Sequence, residues 1–316
     1  LEGREYLDFV GGIAVNVLGH GHPDLVQAIQ RQAAQLIHTS NLNYTEPQVQ
    51  LAKTLVEHSF ADRVFFCNSG TEANEGALKI ARAHGRKIHP EKFETVALLG
   101  SFHGRTFGSL SITGQENYRK DFEPMLPGAK FVERNNIAQL EAAVNEKTAG
   151  IFLEIVQGEG GVYPLSDEFI RKARELADKY NALLICDEIQ CGVGRPGTYF
   201  SYQLLDPIVY PDVITAAKPL AAGIPLGFVA AKQHAADAIA AGQHGTTFGG
   251  GPLACHVALE FFDILEELLP NIIHVESPHQ IRNAKARLQQ QLSERVWDFR
   301  SANNWDDVCR QQGYLN

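Results

Sequence analysis

The chain has 316 residues, 44% of them hydrophobic and 21% charged, with 28 Lys and Arg against 37 Asp and Glu for a formal net charge of -9. That composition excludes disordered, collagen-like and small disulfide-rich classes and suits one large or two ordinary globular domains. The acidic balance repels polyanions, so nucleic acid is excluded as the principal partner.

The five cysteines, at positions 67, 186, 191, 255 and 309, contain no CxxC pair. They read as reduced thiols in a cytosol-like compartment, and neither a disulfide framework nor a metal site is expected. Met125 is the only methionine, so the sequence does not begin at an initiator residue. A cytoplasmic location is expected, with the mitochondrial matrix or a plastid as the alternative if a transit peptide was removed. The best transmembrane candidate is residues 213–231. It carries Lys218, Pro219 and Pro225, which a ~20-residue apolar span tolerates poorly, so no membrane span is expected.

In chain order, short apolar runs predict strands at residues 63–67, 94–100, 149–156, 182–186 and 212–216. Helical spacing predicts helices between them, at 72–84 and 167–180. In the second, Phe169, Ala173, Leu176 and Ala177 share one face. Strands apolar throughout and separated by helices form a parallel sheet covered on both faces. From Pro278 onward a single stripe, Ile281, Ala284, Leu288, Leu292 and Val296, predicts one helix and an irregular terminus. The chain thus divides into an N-terminal segment 1–41, a large domain 42–270 and a short helical remnant 271–316.

Open parallel sheets bind ligands beyond the carboxyl ends of their strands, which directs attention to the residues that follow each one. After 63–67 stands Asn68-Ser-Gly-Thr-Glu-Ala-Asn74. Ser69 and Glu72 have capping-box spacing, Gly70 allows a close turn, and the helix start offers free N–H groups to a phosphate. No lysine follows at P-loop spacing, which disfavours a Walker-type nucleotidase. After 94–100, Ser101-Phe-His-Gly-Arg-Thr106 brings an aromatic, an imidazole and a guanidinium suited to gripping a carboxylate. After 149–156 comes Gln157-Gly-Glu-Gly-Gly161. Glu154, placed within that apolar strand, is costly unless it is paired or serves the site.

After 182–186 comes Asp187-Glu-Ile-Gln190, with Asp187 placed to hold a cationic ligand atom. The formal GxGxxG at residues 192–197 is interrupted by Pro196 and opens no helix, so it is not read as a nicotinamide-cofactor site. After 212–216, Lys218 is the only charged residue from Val213 to Ala231. Burial of an amine lowers its pKa and leaves it nucleophilic. Last, His244-Gly-Thr-Thr-Phe-Gly-Gly-Gly-Pro252 offers two threonine hydroxyls, Thr246 and Thr247, before another helix.

Together these features equip a site for pyridoxal 5'-phosphate. The amine of Lys218 meets the aldehyde, a helix start holds the phosphate, Asp187 keeps the ring nitrogen protonated, and Phe102 stacks on the ring.

These motifs, with His38-Thr-Ser-Asn-Leu42 and Thr45-Glu-Pro47, resemble the class III aminotransferases of fold type I, closest to the acetylornithine aminotransferase branch, from Leu1 to about Leu269. The resemblance implies an α/β fold with a mainly parallel central sheet and a C-terminal small domain that is truncated or atypical here. It implies catalytic roles for Lys218 and Asp187. The implied cofactor contacts are Ser69, Gly70, Thr71, Phe102, Asp187, Ile189, Gln190, Lys218 and, from the neighbouring subunit of a homodimer with shared sites, Thr247. The implied substrate contacts are Arg105, on an α-carboxylate, Thr246 and the gating Glu159.

The resemblance further implies transfer of the terminal amine of N2-acetyl-L-ornithine to 2-oxoglutarate. The alternatives are another donor (ornithine, 4-aminobutyrate or succinylornithine), or a chain that binds cofactor without turnover. After residue 270 no counterpart stands for the Val-Arg-Gly-type motif and carboxylate-binding arginine of relatives.

Overall fold

The computed structural model describes Gly3 and residues 8–271. The helix predicted from the stripe over residues 281–296, the 271–316 remnant beyond its first residue, and Cys309 lie outside the described residues.

The sheet is built from β1 (Arg63–Cys67), β2 (Glu94–Leu98), β3 (Ala129–Val132), β4 (Thr148–Leu153), β7 (Leu183–Asp187), β8 (Val213–Ala216) and β9 (Gly227–Ala231), in the order β1-β9-β8-β7-β4-β2-β3. A separate two-residue pair, β5 (Val156–Gln157) and β6 (Tyr163–Pro164), forms a small antiparallel arm. All residues of β4, β7, β8 and β9 are buried, which is why they read as unbroken apolar runs.

The structure refines the sequence expectations at three places. First, the mainly parallel sheet expected from sequence contains one antiparallel strand, since β9 runs antiparallel to both β8 and β1. Two reversals restore the direction, so β1 still ends at the same sheet edge as the parallel strands. Second, the apolar run over residues 213–231, rejected as a span and expected to hold one strand at 212–216, holds two. They are β8 and β9, joined by the short turn of helix Lys218–Ala221 and a Pro/Gly stretch. Third, the run at 149–156 breaks after Leu153, so Glu154 lies beyond the strand end rather than within it. The strand at Ala129–Val132 was not anticipated, because Lys130 interrupts its apolar pattern.

Helices cover both faces. Helix Gly70–Ile88 starts two residues earlier than the periodicity predicts, because Ser69 caps it by accepting from the Glu72 N–H at 3.3 Å. Its buried face, Ala73, Asn74, Ala77, Leu78 and Ala81, lies across the sheet. On the other side, helix Asp167–Tyr180 is capped by Ser166 and stopped by Asn181 in the left-handed region at φ 51°. Helix Pro252–Leu268 packs with Pro23–Gln35 and Glu46–Glu57 into the larger of two apolar cores flanking the sheet.

Candidate active site

The strand register aligns the carboxyl ends. Asp187 lies opposite Thr215, Ala216 opposite Phe228, and Cys67 opposite Gly227. The segments leaving those ends enclose a cleft of about 340 Å³, lined by Ser69, Gly70 and Thr71, by residues 102–105, by Glu154 and Glu159, by Asp187, Ile189 and Gln190, and by Ala217 and Lys218. Residues scattered over 150 positions of sequence thus share one cavity because the topology stacks their strand ends.

Asp187 forms its buried floor. Its Oδ2 accepts from Asn74 Nδ2 at 2.7 Å and meets His103 Nδ1 at 2.8 Å, while Oδ1 accepts from the Ile189 N–H at 3.0 Å. Asn74 also donates to the His103 carbonyl at 2.7 Å, and its Oδ1 accepts from Thr215 Oγ1 at 2.8 Å. That last contact fixes the amide with its nitrogen toward Asp187. Against an ionised carboxylate, which only accepts, His103 carries its proton on Nδ1. Burial disfavours its cationic form, but the bond to Asp187 and the charges of Asp187 and Glu154 outweigh this and hold it above the ordinary imidazole range.

Glu154 is also buried. It accepts from the Phe102 N–H at 3.1 Å and, less closely, from the Gly158 N–H at 3.4 Å. Burial, opposed by His103 and assisted by the negative charge of Asp187, pushes its carboxyl up to about 7. Glu154 therefore anchors the two loops that carry Phe102 and Glu159, the pairing that its apolar neighbourhood demands.

Lys218 opens onto the cleft, half-buried, with no hydrogen-bond or ion-pair partner among the described residues. Its φ of 33° is in the left-handed region, unusual for a residue with a side chain, and such strain concentrates at functional positions. Burial lowers its pKa, while the charges of Asp187, Glu159 and Glu154 oppose the shift.

Gly70 is the first residue of its helix, and its absent side chain is explained by close approach rather than by a turn. A Cβ there would stand 2.8 Å from two carbons of Ile189. The Thr71 hydroxyl accepts from the Arg105 and Thr106 N–H groups, each at 3.2 Å, and lies 2.9 Å from Thr106 Oγ1. It therefore staples the Phe102–Arg105 loop to the helix start, which lines the cleft. Thr246 and Thr247 do not line this cleft. Thr246 Oγ1 accepts from Asn68 Nδ2 at 3.2 Å beside a separate hollow, and Thr247 is exposed.

The donor set fits pyridoxal 5'-phosphate. A helix start faces the cleft for a dianion, a carboxylate whose other contacts are already fixed sits beneath it for a pyridinium, apolar walls stand at Phe102 and Ile189, and an unpartnered amine is available for an aldehyde. Among the described residues no cluster of His, Cys, Asp and Glu forms a metal site, and no helix is long and apolar enough to cross a membrane. Sequence reasoning named His103 only as an imidazole at the sheet edge, and gave Asn74 and Tyr118 no role. Asn74 lay inside a quoted motif, so its helical spacing four residues after Gly70 was the available signal. Tyr118 carried none.

The family model described as "Aminotransferase class-III" matches residues 1–302, and the chain belongs to this family, whose members use pyridoxal 5'-phosphate. The chain is 52% identical over 267 residues to a mitochondrial acetylornithine aminotransferase of Alnus glutinosa, covering 83% of this chain and 59% of that protein. Among solved structures, an N-acetylornithine aminotransferase from Stenotrophomonas maltophilia matches with a TM-score of 0.74 and 37% identity, covering 92% of this chain and 72% of the other. The ornithine aminotransferase from Toxoplasma gondii matches with a TM-score of 0.79 and 34% identity, covering 84% and 64%. The chain thus spans about three-fifths of the length of the plant relative.

Proposed function

We propose that the chain transfers the terminal amine of N2-acetyl-L-ornithine to 2-oxoglutarate, giving N-acetylglutamate 5-semialdehyde and glutamate, a step of arginine biosynthesis. The observation that carries the reading is the pairing, in one cleft, of an unpartnered, half-buried Lys218 with a buried and triply bonded Asp187. The relatives named above supply the substrate class.

Bound pyridoxal phosphate supplies an electron sink that acidifies the carbon bearing the transferred nitrogen. The chain's residues do the rest. The helix start at Ser69, Gly70 and Thr71 holds the phosphate with backbone N–H groups. Asp187, braced by Asn74 and His103, keeps a proton on the ring nitrogen. Gln190, Phe102 and Ile189 line the same cleft, where Gln190 would meet the ring hydroxyl and Phe102 and Ile189 would cover the ring faces and exclude water. Arg105 grips the donor α-carboxylate, which leaves the far amine at Lys218. Lys218 Nζ, its ammonium disfavoured by burial, takes the proton from the substrate carbon and later returns it.

A homodimer completes the site, with Thr247 reaching the partner's phosphate and Thr246 its substrate. Supporting this are the exposure of Thr247 and the apolar surface around it, where Leu42 and Tyr44 are each 93% exposed and Phe248 68%. Four buried thiols, Cys67, Cys186, Cys191 and Cys255, suit the reducing cytoplasm. The division into segment 1–41, domain 42–270 and remnant 271–316 belongs to the same reading.

The test is a spectrum of the purified, cofactor-loaded chain before and after addition of N-acetylornithine. We expect the bound-cofactor band to disappear and a semialdehyde to form. Borohydride should fix the cofactor covalently on the native chain and not on Lys218→Ala. Covalent fixation on the variant overturns the assignment of Lys218. A band that responds to ornithine alone overturns the substrate, an outcome for which the Toxoplasma gondii likeness is the specific support.

A further inference from the structure

Arg105 and Glu159 both line the cleft and carry opposite charges, yet among the described residues they form no ion pair. Tyr118 contacts both. The Arg105 guanidinium carbon lies 3.9 Å from the centroid of the Tyr118 ring and 5.2 Å from that of Phe102. The two rings meet edge to face, with centroids 5.9 Å apart and planes at 90°. At its other end the Tyr118 hydroxyl donates to Glu159 Oε1 at 3.1 Å. The tyrosine is itself held, because the next residue, Arg119, places its guanidinium carbon 4.4 Å from the centroid of the Phe131 ring on β3.

We propose that Tyr118 is a positioning residue for carboxylate recognition: its ring sets the guanidinium of Arg105 and its hydroxyl holds Glu159 off that guanidinium. The inference rests on the reading of Arg105 as the carboxylate grip. The physical reasons are two. Arg105 is exposed, and a long side chain in solvent must give up rotamer freedom before it can bind bidentately. Stacking on an aromatic face removes that freedom in advance. A neighbouring carboxylate would also compete with the substrate for the same fork, and the phenol occupies it instead. Burial and the charge of Glu159 raise the Tyr118 pKa against the opposing effect of the nearby Arg105, so the phenol donates throughout the neutral range.

The experiment compares the native chain with Tyr118→Leu, Tyr118→Phe and the doubles Tyr118→Leu/Arg105→Ala and Tyr118→Phe/Glu159→Gln, all cofactor-loaded. Binding of N-acetylnorvaline, which has the carboxylate but no terminal amine, is measured by calorimetry. Reaction with N-acetylornithine and with pentylamine, which has no carboxylate, is followed by absorbance. Tyr118→Leu should weaken N-acetylnorvaline and raise the KM for N-acetylornithine about tenfold, while pentylamine changes less than about twofold. Tyr118→Leu should add nothing once Arg105 is Ala. Tyr118→Phe should weaken N-acetylnorvaline about threefold, a loss that Glu159→Gln restores.

Equal loss toward pentylamine, or a full Tyr118→Leu effect in the Arg105→Ala background, overturns the proposal. If the native chain accepts a different carboxylate-bearing donor, ornithine or 4-aminobutyrate, the proposed substrate falls. The same comparison against pentylamine on that donor still decides Tyr118.

Discussion

Glu154 is the residue where the site works against the fold. Its buried carboxyl is raised from an ordinary 4.5 to about 7, so between those values the folded chain holds a proton that the unfolded chain has released. Stability therefore falls as pH rises from 4.5 to 7, because the unfolded state binds fewer protons there. A Glu154→Gln variant keeps an acceptor for the Phe102 N–H and carries no charge. We expect the melting-temperature difference, native minus variant, to drop steadily from pH 4.5 to pH 7 in the cofactor-free chain. A difference that is flat or rises over that interval contradicts the picture. The sequence flagged Glu154 as anomalous but could not say why it is tolerated. The answer lies in two backbone N–H groups from loops that precede and follow it, and in an imidazole 51 positions away.

At the scale of elements, helix Gly70–Ile88 carries the cap, the phosphate-facing start and Asn74, so its seating on the sheet sets the geometry of the cleft. Gly85 fixes that seating. A Cβ there would stand 2.9 Å from Ala149 Cβ on β4, and closer still to the Lys92 carbonyl oxygen. Helix propensity alone makes Gly→Ala favourable by roughly 0.5–1 kcal/mol. Forcing a methyl against backbone costs about 1–3 kcal/mol. The clash wins, and Gly85→Ala should lower stability by about 1–2 kcal/mol in urea unfolding. A stabilised variant would mean the helix can lift from β4 at no cost. The cap and helix were legible because Ser69 and Glu72 are local signals. The contact of Gly85 with β4 was not, because nothing near it in sequence announces a strand 64 positions on.

At the scale of the molecule, the surface formed by residues 37–49 and 245–249 exposes the large apolar side chains of Ile37, Leu42, Tyr44, Val49 and Phe248 among polar ones. Asn41 Nδ2 bridges its two segments, donating to the Thr246 and Gly249 carbonyls at 3.0 Å each. If this surface is the dimer interface, burying Phe248 with its neighbours supplies association free energy that a charge would cancel. Phe248→Asp should sediment as a monomer and lose activity together with dimerisation, since Thr247 would no longer reach a partner. A monomeric native chain with full activity contradicts this.

Strand order lies beyond any local pattern. Apolar runs fix where strands are, because a buried strand excludes charge along its whole length. They do not fix direction, and β9 was hidden because its run continued that of β8. The sequence by itself determined the sheet class and the motifs beyond each strand end, and it singled out Lys218 and Asp187 as the candidate chemical pair. All of these depend on residue type within a few positions. Only the tertiary structure decided that Asn74, His103 and Thr215 brace Asp187, that Thr71 staples a loop, and that Tyr118 contacts both Arg105 and Glu159. Those relations join residues distant in the chain, whose distances are set by the register of the strands between them and by nothing in the residues themselves.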